Sequence, residues 1–276
     1  MRGIAVTVIA LASCIGAPTP LDPGISGSVG VPHRGVLTNG RALPKSGEGY
    51  KLFRDEDVRW GNPRLVSAIE AAASYVEQQR PGAPLVVADL SVEHGGKTIR
   101  HRSHRSGRDA DLLFYVVTPD GRSVENPGFL HFAGDSLAYH QQEREYVRLD
   151  VERTWLLVKA LVADPDAHVQ FLFVAVWLEA LLTEYARALG EEDELIYRAA
   201  VVLRQPSDSA SHDDHIHMRI GCTPEEQVAG CNGGGPQRPW FEPRPILAIS
   251  DDALLDAMFD GAGFDGDGPR WEDTDD

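Results

Sequence analysis

The chain of 276 residues has only three cysteines, too few for a disulfide scaffold. It has no run of about 20 apolar residues, the length a helix needs to cross a bilayer core, so a polytopic membrane protein is excluded. Positive charge is also scarce. There are 26 Lys and Arg against 42 Asp and Glu, a formal charge of −16, and this argues against a nucleic-acid binder, which needs a basic face to neutralise phosphates. No H-E-x-x-H, G-x-S-x-G or C-x₂-C occurs, and no repeat, which removes the thermolysin-type protease, the serine-hydrolase elbow, the zinc ribbon and the solenoid. What remains is an ordinary globular composition, 42% apolar and 25% charged, with enough apolar mass for a sizeable core in one large domain or two.

The ends differ from the body. Arg2 is followed by about ten apolar or small residues, Gly3 to Ala12, which reads as the hydrophobic region of an export signal over residues 1–13. Leu11-Ala12-Ser13-Cys14 resembles the lipobox of bacterial lipoproteins, in which Cys14 becomes the lipid-modified N-terminus. Ile15 follows, not the Asp that often marks inner-membrane retention, so the expectation is an outer-membrane anchor facing the periplasm. Residues 14–48, rich in Gly, Pro and Ser, read as a tether and extended lead-in to a domain over 49–245. Residues 246–276 read as an acidic tail; ten Asp/Glu and one Arg fall within 251–276. Gly261-Ala-Gly-Phe-Asp-Gly266 fits G-x-G-x-x-G, but without a preceding strand it is no dinucleotide site. If Cys14 carries lipid, Cys222 and Cys231 remain, and in an oxidising compartment they are expected to pair.

Periodicity predicts short strands among helices. Asn62-Pro63 opens a helix with Leu65, Ile69, Ala73 and Val76 on one face. Strands follow at Leu85–Leu90 and Ala110–Val117. Asp150 caps a helix that Asp164-Pro165 ends, Val169–Val174 is a strand, and helices cover Trp177–Leu189 and Glu192–Leu203. His215–Ile220 is the last strand. Without a regular βαβ rhythm, the fold class is α+β with a central antiparallel sheet flanked by helices.

Five of the ten histidines fall in two windows, His101 and His104 with Asp109 and Asp111, then His212, Asp213, Asp214, His215 and His217. Imidazole and carboxylate are natural Zn²⁺ ligands, and a catalytic zinc takes three from the protein. His215 and His217, two apart on a strand, share a face, so one can bind metal while the other handles a proton beside it. Asp109 or Asp213 is a candidate to orient a histidine through its second nitrogen.

His104-x₆-Asp111 followed by His215-x-His217 resembles the zinc signature of the LAS peptidases. The runs Ser103-His104-Arg-Ser-Gly107-Arg-Asp109-Ala-Asp111 and His212-x₂-His215-x-His217-Met-Arg219, then Cys222…Cys231 and Trp240-Phe241-Glu242-Pro243, narrow the resemblance to the penicillin-insensitive murein endopeptidases. It covers roughly residues 30–245, with no clear match around 122–150. The resemblance implies one Zn²⁺ per chain held by His104, Asp111 and His217, with His215 as general base or oxyanion stabiliser. His101 and His212 match further site histidines. The implied reaction is metal-assisted hydrolysis of the peptide cross-links of peptidoglycan, at the D-alanyl–diaminopimelyl bond. The alternatives are a D,D-carboxypeptidase or dipeptidase on the same scaffold and a non-catalytic wall-binding lipoprotein. No nucleic-acid partner is expected, and the membrane is met only through the lipid anchor.

Overall fold

A computed structural model describes residues 27–241 apart from 55, 56, 99, 208 and 234. The export segment 1–13, Cys14, the first part of the tether and the acidic tail lie outside the described residues.

Six short strands come first: β1 (Gly27–Val31), β2 (Arg34–Thr38), β3 (Arg41–Ala42), β4 (Ser46–Gly47), β5 (Tyr50–Leu52) and β6 (Trp60–Gly61). The stretch expected as an extended lead-in thus carries a hairpin, β1 antiparallel to β2, and buries Leu37 and Leu43. Helix α1 (Pro63–Gln79) follows, then β7 (Leu85–Val87), β8 (Asp109–Leu113), β9 (Val116–Val117), β10 (Ser123–Val124), β11 (Leu137–His140) and β12 (Glu145–Leu149). The rest alternates: α2 (Val151–Ala163), β13 (Val169–Phe173), α3 (Val176–Leu189), α4 (Asp193–Val202), β14 (Leu203–Arg204), β15 (His215–Ile220) and α5 (Pro224–Val228).

The main sheet has seven strands in the order β14-β13-β15-β8-β7-β5-β4. Its centre is antiparallel, β13 to β15, β15 to β8 and β8 to β7, while β14/β13 and β5/β7 pair in parallel. The α+β class and the helix-flanked sheet therefore match the expectation. A four-stranded antiparallel sheet, β10-β9-β12-β11, takes three of its strands from the region around 122–150, where the resemblance found no clear match.

Local chemistry sets the element ends. Asn62 caps α1 by accepting from the Arg64 N–H at 3.0 Å, with Pro63 in the first turn, where its missing N–H costs nothing. Asp150 caps α2 by accepting from the Arg153 N–H, and Gly190 ends α3 in the left-handed conformation, φ +74°. The run Ala110–Val117, expected as one strand, breaks into β8 and β9, which belong to different sheets. At the break the Asn126 side-chain amide donates to the Phe114 carbonyl and the Asp150 N–H to that of Tyr115, so bonds from outside the main sheet satisfy the backbone.

The apolar side of the main sheet is covered by the helices. Ile216, Met218 and Ile220 of β15 and Ala110 and Leu112 of β8 are fully buried there, against the same core as Ile69, Trp155, Leu178 and Ala199. No helix among the described residues is long and apolar enough to cross a membrane.

A polar clamp closes the C-terminal part. Cys222 and Cys231 form the expected disulfide, bracketing α5. The fully buried Arg108 donates to Cys222 Sγ at 3.0 Å and to the carbonyls of Asn232 and Gly233 at 2.9 and 3.0 Å. Glu226, in the capping box of α5, accepts from Asn62 Nδ2 and Arg64 Nη2, both at 2.5 Å, and from the Thr223 N–H. One carboxylate thus ties α5 to the start of α1. Glu226→Ala removes the charged partner of the Arg64 guanidinium, which keeps the Gly221 carbonyl at 2.8 Å, and the near acceptor of the buried Asn62 amide, and is expected to cost about 1–3 kcal/mol in urea unfolding. A loss under about 0.5 kcal/mol would show the clamp to be dispensable.

Candidate metal centre

Alternation along two neighbouring strands separates the core from the site. On β8, Ala110 and Leu112 face the core, so Asp109, Asp111 and Leu113 face the other way; on β15, Ile216 and Met218 face the core, so His215, His217 and Arg219 do not. The antiparallel register sets Asp111 opposite His217 and Asp109 opposite Arg219.

The loop between β7 and β8 supplies His101 and His104. His104 is fully buried and adopts φ +62°, a left-handed conformation that costs a non-glycine residue about 1–2 kcal/mol. Its ring is fixed by Nδ1–H donating to the Leu90 carbonyl at 3.0 Å. The loop is braced by the β1–β2 hairpin: the Leu37 N–H donates to the His94 carbonyl and the Arg105 N–H to that of Pro32. Gly95, φ +68°, lets this brace close, since a Cβ there would stand 2.3 Å from the Arg105 carbonyl oxygen.

Four imidazoles converge on Asp111. Its Oδ1 lies 3.1 Å from His217 Nδ1 and 3.3 Å from both His104 Nε2 and His215 Nε2, while Oδ2 is 3.5 Å from His101 Nε2. His217 donates through Nε2–H to Asp109 Oδ1 at 2.8 Å, which leaves Nδ1 to face Asp111. Asp109 is itself held by Arg219 at 2.6 Å.

Both oxygens of Asp111 and Nε2 of His104 are buried without a hydrogen-bond partner. Buried carboxylate oxygens left this way cost several kcal/mol unless a cation or proton compensates them. One carboxylate and two imidazoles, each ring fixed through its far nitrogen, fit a divalent cation that accepts N and O ligands. His101, His104 and Asp111 each offer a ligand atom within 4.8 Å of the others, as do His212, His215 and His217.

The electrostatics follow from that crowding. Burial pushes Asp111 up, but the His104 and His215 imidazoles outweigh it and hold the carboxyl well below the usual range. Burial likewise opposes the charged form of His215, yet Asp111 and Asp214 raise it to about 10. His217 is raised by its bonds to Asp109 and Asp111 against the penalty of burial. His212 goes the other way, lowered to about 4 by burial and by repulsion from His215 and His217. Protons thus balance the buried carboxylates, and a divalent cation would displace protons to bind there.

The two candidate orienting carboxylates part company. Asp109 bonds to His217, whereas Asp213 accepts from His131, outside both histidine windows, and it is Asp214 that holds His215 Nδ1, at 2.7 Å. Besides His131, sequence reasoning passed over several contributors. Asp89 bonds to His101 Nε2 at 2.8 Å and to Arg54 at 3.1 Å. Phe129 sets its ring edge-on to His215, 5.3 Å between centroids, and Phe53 meets Phe129 in the same manner. Asp89 was traceable, as a carboxylate within the apolar run Leu85–Leu90; Phe129 had no such signal in its unmatched region.

Comparison with known proteins shows the family. The family model for penicillin-insensitive murein endopeptidase matches residues 28–239. Two proteins of that name are similar over most of their length, and a third over about a third of it. The one from Haemophilus influenzae is 26% identical over 250 residues, covering 84% of this chain and 80% of its own. One from Klebsiella pneumoniae is 25% identical over 288 residues, covering 93% and 98%. One from Salmonella paratyphi C is 30% identical over 96 residues, 34% of this chain and 35% of its own. With the family model spanning most of the sequence, this chain belongs to the penicillin-insensitive murein endopeptidase family.

Proposed function

We propose that the chain is a zinc-dependent endopeptidase that hydrolyses the peptide cross-links of peptidoglycan, at the D-alanyl–diaminopimelyl bond. It acts in the periplasm, held to the outer membrane by lipid on Cys14. The observation that carries the reading is the buried Asp111 carboxylate, without a hydrogen bond, faced by His104 Nε2 and His217 Nδ1. Those three residues would hold the ion.

Bound zinc supplies Lewis acidity, which polarises a carbonyl and makes hydroxide accessible near neutral pH. The chain's own side chains do the rest. His215 presents Nε2 on the ligand side while Asp214 fixes Nδ1, so one ring nitrogen is committed to orientation and the other to the reacting atoms. With Nδ1 held by Asp214, Nε2 can take a proton from the attacking water or, once protonated, stabilise negative charge on the scissile carbonyl oxygen. Phe129 packs edge-on against the His215 ring and helps fix its orientation. His212 and His101 flank the ligand set, His101 steadied by Asp89.

Purified protein incubated with cross-linked peptidoglycan is expected to convert muropeptide dimers to monomers, as read by mass spectrometry, and to stop when a zinc chelator is added. Free D-alanine as the sole product would instead make it a carboxypeptidase, and wall binding without any product would make it a binding protein. His217→Ala is expected to lose zinc and activity together, with metal content measured by elemental analysis; full zinc occupancy would overturn the ligand assignment. His215→Ala is expected to keep zinc and lose at least about a hundredfold in rate. Cys14→Ser is expected to release the protein from membrane fractions, and unchanged fractionation would refute the lipid anchor.

A further inference from the structure

A second set of donors stands beside the first and has no part in the ligand set above. His131, largely exposed, lies with Nδ1 2.6 Å from Asp213 Oδ1, and the neighbouring Asp214 directs Oδ1 at His215 Nδ1. His131, Asp213 and Asp214 each offer a ligand atom, all within 4.8 Å of one another. Among the described residues, the ion pairs of Asp213 and Asp214 run only to histidines, and no lysine or arginine neutralises the two carboxylates.

The backbone holds this cluster together independently of its side chains. The Phe132 N–H, next to His131, donates to the Asp213 carbonyl at 3.0 Å. The Phe132 ring is buried edge-on against Phe114, which anchors that segment in the core. Asp213 and Asp214 lead directly into β15. The donors therefore sit on two segments already fastened to each other. Two carboxylates and one imidazole, open to solvent on one side, suit a borderline divalent ion that completes its coordination with water.

We propose that His131, Asp213 and Asp214 form a second site for a divalent transition-metal cation of the Zn²⁺ class, at the rim of the metal centre. The site itself does not depend on the function proposed above; only its effect on catalysis does. That effect runs through Asp214, whose one carboxylate would serve both the rim cation and His215. Because coupling of this kind is reciprocal, a cation at the rim and the state of the His215 ring influence each other.

The test is equilibrium dialysis of the metal-free, otherwise intact protein against rising Co²⁺, with bound metal counted by elemental analysis. Two equivalents per wild-type chain are expected, one tighter than the other. His131→Ala is expected to lose the weaker equivalent and keep the tighter one, and Asp213→Asn to do the same; with its side chain 74% exposed, His131 is not needed for packing. A single equivalent in the wild type, or two that persist in His131→Ala, overturns the rim site and leaves the first centre intact. No bound metal at all overturns both.

Discussion

The structure depends on the pairing of β8 with β15. Because side chains alternate across a sheet, this one ladder assigns Ala110, Leu112, Ile216 and Met218 to the core and Asp111, His215 and His217 to the opposite face. A one-residue slip of β15 would turn His215, His217 and Arg219 into the apolar layer under the helices, at a cost of many kcal/mol. The hydrophobic core thus enforces the geometry of the polar site.

The other parts serve this arrangement. The β1–β2 hairpin braces the loop carrying His101 and His104, and the strained backbone of His104 is tolerated because the Leu90 carbonyl and the hairpin hold it from both sides. Arg219 and Asp109 fix His217 from behind, while Asp214 fixes His215. Each ring that faces Asp111 across 3.1–3.3 Å has its other nitrogen engaged, so the tautomers follow from the neighbours.

Much of this was legible in the sequence. The strand His215–Ile220, the caps Asn62, Asp150 and Gly190, and the α+β class follow from alternation, helix signals and punctuation, since these are local properties. The two histidine windows pointed to the residues that gather around Asp111. What escaped was non-local. The hairpin of residues 27–38 has little apolar pattern because its role is to brace a loop, and Ala110–Val117 reads as continuous although Asn126 and Asp150, both distant in the chain, break it. Asp213 and Asp214 are adjacent and chemically identical, and only the fold decides that the first meets His131 and the second His215.

The position of β15 also bears on the order in which the molecule is made. It is the last strand among the described residues, yet it lies inside the main sheet, between β13 and β8. A chain growing from its N-terminus holds His101, His104 and Asp111 long before His215 and His217 exist, and until then the sheet has a gap at its centre. Such late, long-range closure slows folding relative to local contacts. A chain interrupted before β15 therefore lacks His215 and His217, two of the four imidazoles that gather around Asp111.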